Sequence, residues 1–189
     1  MFQFDPSEYG PALAAVLPSD VLWELGPGSS NDEAYGLLSA LTVESAFPDG
    51  VADEQMAAAC ISAAWLMHEY LDESHTISQN IETNTGSYWH AIMHRREPDF
   101  SNSGYWFRRV GSHPVFESLC GVARELAAVE DCPSEATFLA DQSEWDPFAF
   151  IDLCEAAHHG RSTAEILCRR VQQQECWLLL DYCYCAAVG

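Results

Sequence analysis

Apolar residues along this chain recur at intervals of three and four, and no segment alternates apolar with polar as a half-buried strand does. A chain patterned in this way can bury its apolar atoms only by packing helix on helix. The expected fold is therefore all-α, a compact array of about seven helices joined by short loops.

Start and stop signals divide that pattern. After a Pro/Gly-rich opening to Ser29, Ser30 followed by Glu33 reads as a capping box for a helix through "NDEAYGLLSALTVES". "AFPDGVAD" breaks it. One long helix is expected from about Asp53 through "EQMAAACISAAWLMHEYLDESHTISQ", ended by the Asn/Thr/Gly text of "NIETNTG". Next comes "SYWHAIMHRRE", where Pro98 biases Glu97 away from helical geometry. Asp99 or Ser101 can then cap "NSGYWFRRV". Gly111 closes that helix and Pro114 opens "PVFESLCGVARELAAV". Beyond the acidic linker "EDCPSE", "DPFAFIDLCEAAHH" stops at Gly160, and Ser162 with Glu165 forms a second capping box ahead of "TAEILCRRVQQQECWLLLDYCYCAAV".

The chain has 189 residues, 48% of them hydrophobic, enough for one core: a single helical domain over 30–189 with residues 1–29 as an N-terminal appendage packed on it or extending from it. The formal charge of −21 argues against nucleic acid and anionic membrane surfaces as partners. "MFQFDPSEYG" has no basic region followed by an apolar run, and no stretch reaches the ~18 uninterrupted apolar residues of a membrane span. A cytoplasmic protein is the expectation. Its eight cysteines contain no C-x-x-C pair, and most sit in apolar helical text, so reduced thiols packed as small hydrophobes are expected.

All eight basic residues are arginine. Without lysine there is no Schiff base, no pyridoxal-phosphate anchor and no Walker-type phosphate loop. The G-x-S-x-G and G-x-G-x-x-G signatures are also missing.

Two resemblances attach to "HAIMHRREPDFSNSGYWFRRVGSHP". Its helix–turn–helix text, about 87–112, resembles one tetratricopeptide-type hairpin: Ala91 and Ser103 supply the small residues, Asp99-Phe100 the turn, Phe107 the second-helix aromatic, and Pro114 follows the end. His94 departs from that pattern, where an aromatic is usual, and no second copy is present. Together with "FIDLCEAAHHG" and "WLLLDYCYCAAVG", the same core resembles a family of uncharacterised proteins from about Trp65 onward. That likeness implies no activity.

Candidate site residues follow from spacing. On a continuous helix, Ala57, Ile61, Ala64, Trp65 and Leu71 share one face with His68, Asp72, His75 and Gln79, so the core stripe turns polar toward its end. His90, His94 and Glu97 repeat the same i, i+4, i+7 spacing on the next helix. Two such rows facing each other provide histidine and carboxylate ligands for zinc, iron or manganese. A satisfied internal network, or a helix end emerging into water, explains the first row equally. His90, His94 and Glu97 point away from Trp89, Ile92 and Met93, hence toward the surface unless another helix covers them. "HEYLD" is similar to the H-E-x-x-H zinc helix, with Asp72 in place of the second histidine.

Segment 86–116 also holds Arg95, Arg96, Arg108 and Arg109 against only Glu97 and Asp99, whereas the rest of the chain sets four arginines against twenty-seven acids. Such a cationic spot either satisfies the protein's own carboxylates or recognises an anion, with Trp89, Tyr105 or Trp106 as an apolar wall and His75, His90 or His94 as acid–base groups. His158-His159 read as cations at a helix C-terminus, and Trp177 to Leu180 as core. Two functions remain open: a protein binding a small anionic ligand between segments 68–79 and 89–109, with a divalent metal and catalysis as options, or a non-catalytic interaction module gripping an acidic peptide or chain terminus.

Overall fold

The computed structural model describes residues 1–129 and 132–189. In chain order the helices are α1 (Gly10–Ala14), α2 (Asp32–Ser39), α3 (Val43–Ala46), α4 (Glu54–Met67), α5 (Leu71–Ser78), α6 (Asn84–Arg96), α7 (Phe100–Val110), α8 (Val115–Val129), α9 (Phe138–Asp141), α10 (Pro147–His158) and α11 (Glu165–Val188). Short 3-10 turns at Pro6–Tyr9 and Ser134–Ala136 complete the set. Among the described residues there is no strand, so the all-helical expectation holds. The array is compact. Of the linker "EDCPSE", Glu130 and Asp131 lie outside the described residues.

Helix starts follow local chemistry. Asp53 accepts from the backbone N–H groups of Gln55 and Met56 at 2.8 and 3.1 Å, and Asp146 caps α10 in the same way ahead of Pro147. Asp99 accepts from Asn102 N–H at 3.1 Å and starts α7. Two starts differ from the capping boxes read in the sequence. Asn31, not Ser30, caps α2, and α11 begins at Glu165 with Ala164 at its cap position. The expected helix through "NDEAYGLLSALTVES" is also interrupted: Thr42 and Ser45 make a reciprocal capping box that starts α3 afresh.

The largest departure is at the long helix. Instead of continuing from Asp53 to Gln79, the chain leaves helical geometry at His68–Tyr70 and turns back. Glu69 takes the left-handed conformation, φ 66°, which costs a non-glycine residue roughly 1–2 kcal/mol. Tertiary bonds offset it. The Glu69 carboxylate pairs with Arg96 and accepts from Gly28 N–H at 3.0 Å, while His68 C=O accepts from Asn31 N–H at 3.1 Å. Beyond the turn, Ser62 donates to Ser74 C=O at 3.0 Å, which lays α5 back along α4. Gly86 then permits the next reversal, because a Cβ there would collide with the Ile81 carbonyl oxygen. These two turns stack α5 against α6.

The last helix, α11, packs against α4, α8 and α10. Residues 1–29 pack onto the core: Phe4 stacks on Trp177 with ring centroids 5.0 Å apart, Trp23 donates to Met67 C=O at 2.7 Å, and Arg169 donates to the carbonyls of Leu22 and Trp23 at 2.7 and 2.8 Å. All eight cysteines are free thiols. Among the described residues no helix is long and apolar enough to cross a membrane.

Candidate functional site

His75, His90 and His94 come together where α5, α6 and α7 meet. One ring nitrogen from each lies within 4.8 Å of the other two, the only such group of metal-ligating side chains among the described residues. His90 and His94 share one face of α6 at i, i+4, with ring centroids 4.7 Å apart. His75 approaches from α5, its centroid 4.5 Å from His90 and 5.4 Å from His94. The turn at Glu69 creates this meeting. It lays α5 against both α4 and α6, and so carries His75 to His90 and His94.

Cover comes from α7, whose Trp106 ring sits 4.0 Å from His90, centroid to centroid. The expectation that His90, His94 and Glu97 face the surface is therefore corrected for both histidines: His90 is 2% exposed and His94 6%. Helix α6 is buried nearly all round, and its polar side points into an interface.

Burial decides the protonation state. Removal from water pushes His90 down to about 3, and the adjacent His94 and His75 oppose a further positive charge. Burial also lowers His94, although its hydrogen bond to Glu97 works in the opposite direction. Both imidazoles are therefore neutral near pH 7, the form that offers a lone pair to a metal. Their outward nitrogens are engaged: Ser78 Oγ lies 3.3 Å from His90 Nδ1, and Glu97 Oε2 lies 2.9 Å from His94 Nδ1. A carboxylate on one nitrogen fixes the proton there and leaves Nε2 as the donor atom, the arrangement that supports metal-bound histidines.

The remaining candidates are dispersed. His68, at the end of α4, is bound to Val16 C=O at 2.5 Å and to the Asn31 amide at 3.1 Å, outside the histidine group. Asp72 is exposed on α5 beside Trp65 and Thr76 and is not part of the histidine group. Glu97 touches the site only through His94 Nδ1 and acts as that ring's support. Interruption of the helix at Glu69 separates His68, left at the end of α4, from Asp72 and His75, which both lie on α5.

Arginines that were to hold an anion divide into two pairs. Arg95, 1% exposed, is paired with Glu175, 0% exposed, and its Nε donates to Gln172 at 3.3 Å over the Phe150 ring. Tyr88 donates to the same Glu175 at 2.9 Å. Arg96 is buried against Glu69 and donates to Leu66 C=O at 3.2 Å. Both guanidinium groups are committed to the protein's own acids. Arg108 and Arg109 are exposed, stacked on Phe148 and Trp106 at 5.8 and 5.0 Å from the ring centroids, with no acidic partner among the described residues. Of the proposed wall, Trp89 is wholly interior and donates to Cys183 Sγ at 3.4 Å, Tyr105 is exposed, and Trp106 alone reaches the histidines.

Sequence reasoning did not find Ser78 or Asn102. The Asn102 amide lies 3.4 and 3.1 Å from the two ring nitrogens of His94. Its place four residues before Trp106, on one face of α7, was the available signal. Scans against family models, curated proteins and solved structures return no match to this chain.

Proposed function

We propose that the protein binds one divalent transition-metal ion through His75, His90 and His94 and uses the remaining coordination position for a small anionic ligand. The observation that carries this reading is the convergence of three imidazole nitrogens within 4.8 Å, at least two of them on rings that burial keeps neutral. Tetrahedral zinc–nitrogen bonds of 2.0–2.1 Å bring ligand nitrogens to about 3.4 Å from one another, so closing the site requires side-chain movements of about 1 Å. An all-imidazole set suits zinc and iron, and copper or nickel, better than manganese, which prefers oxygen ligands. Three protein ligands leave a place for water or a substrate atom, as open metal sites do. A Lewis acid there would polarise an anion's oxygen and lower the pKa of bound water.

The setting is cytoplasmic, an inference supported by eight free thiols, six of them buried. The interaction-module alternative draws less support. Its groove needs Arg95 and Tyr88 at an open surface, and both are interior.

Zinc titration of chelator-stripped protein, followed by calorimetry, tests the reading. One equivalent should bind with micromolar or tighter affinity, and His90→Ala or His94→Ala should weaken it at least a hundredfold. Binding that is absent, or indifferent to both substitutions, overturns it.

A further inference from the structure

One face of α7 lies above the three histidines and is not accounted for by metal binding alone. Asn102 and Trp106, one turn apart, are both half-buried on that face. Trp106 covers His90, and Arg109, one further turn along, stacks on Trp106 at 5.0 Å. The Asn102 side chain has no hydrogen-bond partner among the described residues other than His94.

The two distances to His94 define the geometry of that contact. The in-plane axes of the two imidazole nitrogens diverge, so an atom 3.4 Å from one and 3.1 Å from the other lies on neither axis and must sit over the ring. The amide therefore leaves the Nε2 lone pair open, and its own N–H groups are poorly used by the ring beneath. Half-burial also keeps bulk water from replacing that bond at full strength. A donor group is held against one of the three candidate ligand rings with little to donate to.

We infer that Asn102 donates a hydrogen bond to a small anion occupying the fourth coordination position of the metal, which makes it a specificity-determining residue. The inference rests on the metal reading above. Three neutral imidazoles leave a dication's charge uncompensated, so an anion is the ligand this centre favours. The class fits a carboxylate, phosphate or bicarbonate group: one atom on the metal, a second accepting from the amide, with Trp106 as the apolar wall.

The test uses the full chain loaded with cobalt(II), whose visible spectrum reports its ligands, and azide as the probe anion. Wild type should take up one cobalt and bind azide saturably. Asn102→Leu should bind cobalt as wild type does yet hold azide about tenfold more weakly, the effect of losing one hydrogen bond to a charged group. Asn102→Gln, which keeps the amide, should recover part of the loss and guards against a purely structural effect. If Asn102→Leu loads cobalt normally and binds azide with unchanged affinity, the inference is overturned. Failure of wild type to take up cobalt sinks the metal reading instead, and this inference with it.

Discussion

Helix α6 carries two polar clusters, and they are built on opposite principles. Toward α11, Arg95 meets Glu175, Tyr88 and Gln172, so an interior cation has an interior anion and additional hydrogen bonds. Toward α5 and α7, His75, His90 and His94 have no acid among them, and Glu97 touches only the rear nitrogen of His94. In the first cluster the charges balance within the protein, although Arg95 Nη1 is left without a hydrogen-bond partner. The second gathers three imidazoles, and at His90 and His94 desolvation and the neighbouring rings oppose charging. One cluster organises the fold, and the other is organised by it.

Substitutions separate the two. Glu175→Leu should be the most damaging change, because it leaves Arg95 charged and buried without a partner; a loss of about 3–5 kcal/mol is expected in chemical denaturation. Zinc binding should be unaffected wherever that variant still folds. Next, zinc at a hundred times its dissociation constant should stabilise wild type by about 2.7 kcal/mol, and His94→Ala by nearly nothing. Equal stabilisation of both would erase the distinction between the clusters.

Acid should act on the histidine cluster of the metal-free protein. With His90 held at about 3 in the folded state against the ordinary 6.5, the unfolded chain binds the extra proton between those values. Stability therefore rises with pH across that window and is lost as pH falls from 6.5, by about 2 kcal/mol on reaching 4.5. Thermal melts of His90→Phe should lack that component. The smallest effect is expected from Glu97→Gln, which keeps the hydrogen-bonding shape but removes the charge behind His94. Zinc affinity should drop about tenfold with little change in melting temperature. An unchanged affinity would remove Glu97 from the account.

Much of the architecture was legible because helix periods and caps are local. Asp53, Asp99, Asp146 and Gly160 act at or next to the positions that the sequence assigns to starts and stops. The reversal at Glu69 was not legible. "WLMHEYLDE" contains neither glycine nor proline, and the bonds that hold the turn come from Gly28, Asn31 and Arg96, residues 27 to 41 positions away. The site shares this limit. Spacing alone selected His90 and His94, and His75 was named, but on the assumption of a continuous helix that would also have brought His68. The arginines were read as available because their acids, Glu175 and Glu69, approach only after folding. Covering by Trp106 depends on how α7 closes over α6, which no local pattern encodes.

The central claim is that the three imidazoles, and no other side chains, hold a metal. X-ray absorption at the zinc edge of the protein loaded with one equivalent addresses it directly, since eight cysteines offer sulfur as the competing ligand. The account predicts about three nitrogen neighbours near 2.0 Å with imidazole scattering, one further oxygen, and no sulfur shell. A shell near 2.3 Å from sulfur, or first-shell oxygens without imidazole, would contradict it.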